Sequence, residues 1–131
     1  MSDGIRVVSG SDLSSQTSQT LGMLRMTAID GSSVGARNLW VGRVTMEAGA
    51  ASGAHHHGDC ESVIFVLSGS ARFRYGDHLQ HTAEAGSGDY VYVAPNCVHQ
   101  EINASGSELL DCIVVRDSQE NLVVNVDVPE A

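Results

Sequence analysis

The sequence lacks a long hydrophobic run and has little positive charge. No apolar run approaches the roughly 20 residues that a membrane helix needs, and no cationic, apolar segment typical of a secretion signal is present. Seven basic residues stand against 16 acidic ones, and the formal net charge is -9. Affinity for nucleic acids and anionic membranes is built from clustered Lys and Arg. We therefore expect a cytoplasmic protein that binds neither nucleic acid nor a membrane.

Cysteine is also scarce. The three cysteines, Cys60, Cys97 and Cys112, are odd in number and show no C-x-x-C spacing. A disulfide framework is therefore not expected, and a zinc site built from thiolates has no obvious ligand set. We interpret the three as small, partly buried apolar side chains. Because Cys60 is next to Glu61, a role close to a metal stays open for it.

Helical periodicity is hard to find, and short runs rich in Val, Ile, Phe and Tyr take its place. The 14 glycines lie mostly between these runs, where turns are needed. Short strands at near-regular spacing indicate an all-β sandwich or barrel. The 131 residues contain no repeat and no obvious linker, so they predict one domain. We expect a polar arm at 9–22 and strands at 5–9, 38–47, 62–69, 71–76, 90–94, 109–115 and 122–128.

Three consecutive histidines stand inside the stretch GAASGAHHHGDCESVIFVLSG at 49–69. Residues i and i+2 of a strand share a face, so His55 and His57 can aim two imidazoles into one space while His56 points away. Glu61 follows after a turn, and His99 follows a Pro-Asn turn far downstream. Three imidazoles and a carboxylate leave open positions on a six-coordinate Fe, Mn, Ni or Zn ion. The pattern predicts one divalent transition metal per chain.

These segments resemble the two motifs of the cupins, G-x5-H-x-H-x(3,4)-E-x6-G and G-x5-P-x-G-x2-H-x3-N. The resemblance covers roughly residues 39–115 and implies a double-stranded β-helix of jelly-roll type, the cupin barrel. It implies a single cupin domain over 1–131, with an N-terminal strand and polar arm at 1–33, a barrel core at 34–118 and a C-terminal strand and tail at 119–131. The ligands it implies are His55, His57, Glu61 and His99. The matching positions are Gly49, His55, His57 and Glu61 in the first motif and Gly88, His99 and Asn103 in the second, where Ala94 and Asn96 replace the proline and the glycine.

The first motif departs from the family in one spacing. Seven residues rather than six separate Glu61 from Gly69, so counting back from Gly69 places the family's glutamate position at Ser62. A shift of one residue turns a side chain to the other face of a sheet unless a β-bulge absorbs it. Glutamate is a good metal ligand and serine is a poor one, so we favour Glu61 with a local bulge. The alternative is a three-histidine site with Glu61 outside it.

Softer candidates accompany the metal ligands. Tyr92 shares a strand face with Tyr90, and an inward Tyr92 could donate to a substrate. Glu101 has the strand parity of His99 and could serve as a base or as a partner of a ligand. Both are weak candidates for catalytic residues. His78 and His81 are expected in solvent, as are Arg72 and Arg74 on an outer sheet face.

The resemblance leaves several functions open because the cupin barrel hosts many unrelated reactions. We favour a metal-dependent enzyme for a small molecule, with an oxygenase ahead of an isomerase, lyase or decarboxylase. The alternative from another class is a non-catalytic sensor that binds a small molecule. By resemblance we also expect a homodimer, formed by abutting or exchanging N-terminal strands, with the segments at 5–9 and 122–128 available for this.

Overall fold

The computed structural model describes residues 4–120 and 123–128, whose regular secondary structure is almost entirely antiparallel strand. The short helix that interrupts them is capped by Asp30, whose side chain accepts a hydrogen bond from the Ser33 backbone. The elements in chain order are β1 Leu24–Ile29, α1 Gly31–Val34, β2 Trp40–Met46, β3 His55–His56, β4 Ser62–Ser68, β5 Ser70–Tyr75, β6 His81–Gly86, β7 Tyr90–Val93, β8 His99–Asn103, β9 Leu110–Arg116 and β10 Val124–Asn125.

The strands form two five-stranded sheets. The first has the order β1-β2-β9-β4-β7 and the second the order β10-β3-β8-β5-β6. Strands distant in sequence are neighbours in both sheets, as a jelly-roll requires. Side chains of both sheets form one hydrophobic core, which includes Trp40, Val44, Val66, Phe73 and Leu110. The predicted all-β fold of jelly-roll type is confirmed.

Alternation along the strands decides which side chains enter the interior. Burial alternates along the whole of β2 and of β9. In β9, Arg116 is therefore on the same inward face as the buried apolar residues. In β4 the even-numbered residues from Ser62 to Val66 are buried. The interior thus receives polar and charged side chains at the ends of strands, and these build the site described below. Within the described residues, no helix is long and apolar enough to cross a membrane.

Several sequence predictions need correction. The segment 5–9 forms no strand, and Ile5 and Val7 are 94% and 90% exposed. The predicted ranges omit four strands, β1, β3, β6 and β8, although strand parity was applied to the histidines of β3 and β8. The β6 sequence HTAEAG looks like a polar loop because β6 is an edge strand whose first four residues are exposed. Of the predicted strand 122–128, only Val124–Asn125 is a strand among the described residues, and residue 122 lies outside them.

Candidate metal centre

Three histidines meet in the interior between the two sheets. His55 begins β3, His57 follows this strand, and His99 begins β8 directly opposite His55 in the strand pairing. All three are buried, with at most 3% of their surface exposed. One ring nitrogen from each lies within 4.8 Å of the others. The side chain of His56 points elsewhere, as its parity predicts, and its Nδ1 accepts from the Gly58 backbone.

Hydrogen bonds to the backbone fix two of these rings. Nδ1 of His55 lies 3.0 Å from the Gly53 carbonyl oxygen, and Nδ1 of His99 lies 2.9 Å from that of Cys97. A carbonyl oxygen only accepts, so both Nδ1 atoms carry the proton and both Nε2 atoms present a lone pair. This second hydrogen bond is what orients a histidine that binds a metal.

Burial keeps the imidazole of His99 neutral. It lowers the pKa of His99 to about 4, and the neighbouring His55 adds to the effect. His99 Nε2 is buried and has no hydrogen-bond partner among the described residues. Three imidazoles with converging nitrogens are a donor set that fits Zn, Fe, Ni or Mn. The residues present therefore fit the metal that the sequence predicts.

A carboxylate lies beside the histidines, and it belongs to Glu101. One of its oxygens lies 3.5 Å from His55 Nε2 and 3.8 Å from His99 Nε2. Burial acts to raise the pKa of Glu101, but the neighbouring His55, His99 and Arg25 together outweigh it and lower the pKa to about 2. Glu101 is therefore ionised at neutral pH. Its position follows from β8, where residues 99 and 101 share a face.

Glu61 is not part of this cluster. Its side chain is exposed and accepts a hydrogen bond from the Tyr92 hydroxyl. The bulge that would turn it inward is absent at that point, because β4 alternates regularly from Ser62 to Val66 and its register shift comes later, between Val66 and Ser68. The arrangement is therefore the alternative with three histidines, and Ser62 occupies the inward position.

Tyr92 also lies outside the cluster. It is 60% exposed and, with Tyr90, faces outward from β7, while Val93 enters the core. His78 and His81 are exposed, as the sequence predicts. Of the two weak catalytic candidates, the structure thus brings only Glu101 to the histidines.

Two buried arginines complete the surroundings, and the sequence analysis missed both. Arg25 of β1 lies with Nη2 3.4 Å from His55 Nε2, and Arg116 of β9 lies with Nη2 3.3 Å from His57 Nε2. Guanidinium groups only donate, so the histidine nitrogens accept. The parity of the β9 sequence could have revealed Arg116, since residues 110, 112, 114 and 116 share a face. No such alternation pattern pointed to Arg25, because its strand, β1, was not predicted.

A cavity of about 280 Å³ reaches the cluster at His99. Its walls are mostly apolar and come from β5, β6, β7 and the segment before β8. This volume is just below the usual range for ligand pockets, which starts at roughly 300 Å³. The residues that line it are Phe73, Tyr75, Ala83, Val91, Tyr92, Val93, Ala94, Cys97 and His99.

Fold and site together define a small antiparallel barrel with a buried histidine centre. A family model described as Cupin domain matches residues 42–115, and the chain belongs to this family. No curated protein matches the chain.

Solved structures share this fold at low sequence identity. An uncharacterised conserved protein with a double-stranded β-helix domain from Klebsiella pneumoniae is 16% identical, with 95% of this chain and 99% of that chain covered and a TM-score of 0.71. The polyketide cyclase RemF from Streptomyces resistomycificus is 20% identical, with 97% and 89% covered and a TM-score of 0.75. Oxalate decarboxylase from Bacillus subtilis is 21% identical, with 82% of this chain but 28% of that chain covered and a TM-score of 0.71. At these identities the similarity shows the fold alone.

Proposed function

We propose that the chain is a metal-dependent enzyme for a small molecule, with its metal held by His55, His57 and His99. The observation that carries this proposal is the convergence of three buried ring nitrogens within 4.8 Å. Two of the rings are held by backbone carbonyls with Nε2 deprotonated. Purely structural histidines would not need this common orientation.

Three protein ligands leave further coordination positions for a substrate and water or O₂. A divalent metal there would supply Lewis acidity and, as iron, redox chemistry with O₂. The chain's own contribution is the cavity at His99, whose mostly apolar walls would limit the water around a reacting molecule. Glu101 adds an ionised carboxylate next to the Nε2 atoms of two ligands, where it can take a proton from a bound molecule. We favour oxygenation, since a small apolar cavity beside a redox metal suits O₂ and an organic substrate.

A second reaction class is an isomerase, lyase or decarboxylase that uses the metal as a Lewis acid. One observation favours it: the guanidinium groups of Arg25 and Arg116 both lie against the cluster. Buried positive charge stabilises negative charge that develops on a substrate. Polyketide cyclase and oxalate decarboxylase are among the proteins that share the fold, so non-oxygenase chemistry occurs on it.

Elemental analysis of untagged protein tests the proposal. We expect about one transition metal per chain in the wild type, and loss of that metal in His99→Ala, because a three-ligand site does not tolerate removal of a ligand. His81→Ala is the matched control, since His81 is exposed on β6. Iron together with O₂ consumption would support the oxygenase, and another metal would support Lewis-acid chemistry. If the wild type bound no metal even after reconstitution, the proposal would be wrong and a non-catalytic sensor would take its place.

A further inference from the structure

We propose that Arg25 and Arg116 form an anion-binding subsite beside the histidines, so that the ligand of this site is a small carboxylate. This inference deepens the proposed function by naming the chemical class of the substrate. It rests on the position, burial and incomplete pairing of the two guanidinium groups.

Both arginines are buried where arginine is rarely found. They are two of the seven basic residues of the chain, and their exposed fractions are 0% for Arg25 and 3% for Arg116. Arginine is almost never fully buried unless it is paired with an opposite charge. Among the described residues, however, neither forms an ion pair with a carboxylate.

The partners that the arginines do have are neutral. Nη1 of Arg25 donates to the Thr20 hydroxyl at 2.8 Å, and Nε of Arg116 donates to the Ser62 hydroxyl at 3.3 Å. Arg116 also lies over the Trp40 ring, 5.0 Å from its centroid. Nε of Arg25 and Nη1 of Arg116 have no partner at all within the described part of the chain. Each guanidinium group thus keeps a buried donor that a ligand could satisfy.

The charge balance of the cluster points to an anion. Two guanidinium groups stand against one carboxylate, that of Glu101, which contacts His55 and His99. A divalent metal would add two further positive charges to the same interior. It would also take the Nε2 lone pairs to which Arg25 and Arg116 now donate, because each lone pair serves one partner. More N–H groups would then lack an acceptor.

A carboxylate fits these requirements better than other anions. Its two oxygens lie in one plane and match the planar fork of a guanidinium group. A second oxygen function on the same small molecule could bind the metal. The cavity of about 280 Å³ reaches the histidines at His99, and neither arginine is among the residues that line it, so a ligand in the cavity would reach the guanidinium groups only past the histidines. Methionine in place of either arginine would fill similar space without a charge, so packing alone does not require arginine here.

The test measures the binding of three ligands of similar shape by calorimetry and thermal shift. They are oxalate, oxamate and oxamide, which carry two, one and no negative charges. The protein is the full-length wild type, freed of metal by a chelator that is then dialysed away, so that metal chelation makes no contribution. We expect oxalate to bind at least about tenfold more tightly than neutral oxamide, since a buried charged hydrogen bond exceeds a neutral one. Equal affinity for oxalate and oxamide, or no binding of oxalate, would overturn the proposal.

Variants locate the effect. Arg25→Met and Arg116→Met are each expected to lose oxalate affinity by about tenfold or more. Arg43→Met is the control, because Arg43 is a partly exposed arginine paired with Asp111, and it should bind oxalate as the wild type does. Full affinity in both interior variants would contradict the subsite. If an interior variant does not fold, the comparison of ligands on the wild type decides.

The comparison of ligands needs no metal, so it tests this inference separately from the proposed function. The proposed function is contradicted only if elemental analysis finds no metal.

Discussion

A carboxylate buried beside imidazoles differs from a carboxylate in water, and this chain has one of each. Glu101 is 5% exposed and lies 3.5 Å from His55 Nε2, whereas Glu61 is exposed and accepts from Tyr92. Groups that contact metal-binding histidines set the orientation and basicity of those ligands. Only Glu101 is placed to act on a metal.

The two glutamates make a matched pair for measurement. We predict that Glu101→Gln weakens metal binding by about tenfold or more, because the ionised partner of two ligands is lost. Glu61→Gln should leave the affinity unchanged. Competition with a metallochromic chelator measures both dissociation constants. A larger loss of metal affinity in Glu61→Gln than in Glu101→Gln would mean that the side chain of Glu61 turns inward when metal binds, contrary to its outward position just before β4.

At the scale of elements, one buried amide joins strand ends at the end of β8 opposite His99. Asn103, the last residue of β8, donates to the carbonyl oxygens of Met46, Glu47 and Glu108 and accepts from the Ser105 backbone. The side chain thereby connects β8 to the end of β2 and to the loop that leads into β9. It is 2% exposed, so water cannot replace these bonds.

We predict that Asn103→Ala lowers the free energy of unfolding by about 2 kcal/mol or more, because several buried carbonyls lose their donor. Asn125→Ala is the control, since Asn125 is exposed and makes one long hydrogen bond of 3.4 Å. It should change stability by less than about 0.5 kcal/mol. Urea denaturation followed by fluorescence of Trp40 measures both. A loss in Asn103→Ala no greater than in Asn125→Ala would show that this amide does not hold the strand ends together.

Local pattern was sufficient for some elements and not for others. Alternation identified the strands that face the core, and the same period of two correctly separated His56 from the inward His55 and His57. The face to which the Glu61 side chain points could not be predicted in this way, because a turn precedes Glu61 and parity is lost across a turn of unknown shape. Arg25 and β6 escaped detection because a buried charge and an exposed edge both break the apolar pattern that marks a strand. These positions depend on contacts between residues far apart in sequence.

At the scale of the whole molecule, the N-terminal segment leaves apolar surface uncovered. Ile5 and Val7 are 94% and 90% exposed, although their sequence is typical of a strand. Further along the same segment, Ser14 pairs with Thr27 of β1, the edge strand of the first sheet. An edge strand with an apolar segment beside it is a ready place for pairing with another chain. The homodimer expected from the resemblance is therefore our prediction for the assembly.

We predict a homodimer at micromolar concentration, measured by sedimentation equilibrium, that dissociates when Ile5 and Val7 are both replaced by Asp. Charges at these positions would be buried without partners in a paired segment. Leu21→Asp is the control, because Leu21 is 85% exposed and lies outside the segment 5–9. A dimer that persists in Ile5→Asp/Val7→Asp would move the interface away from the N-terminal segment. A wild type that sediments as a monomer would contradict the predicted assembly itself, and the barrel would then have to bind its metal and its ligand without a second copy.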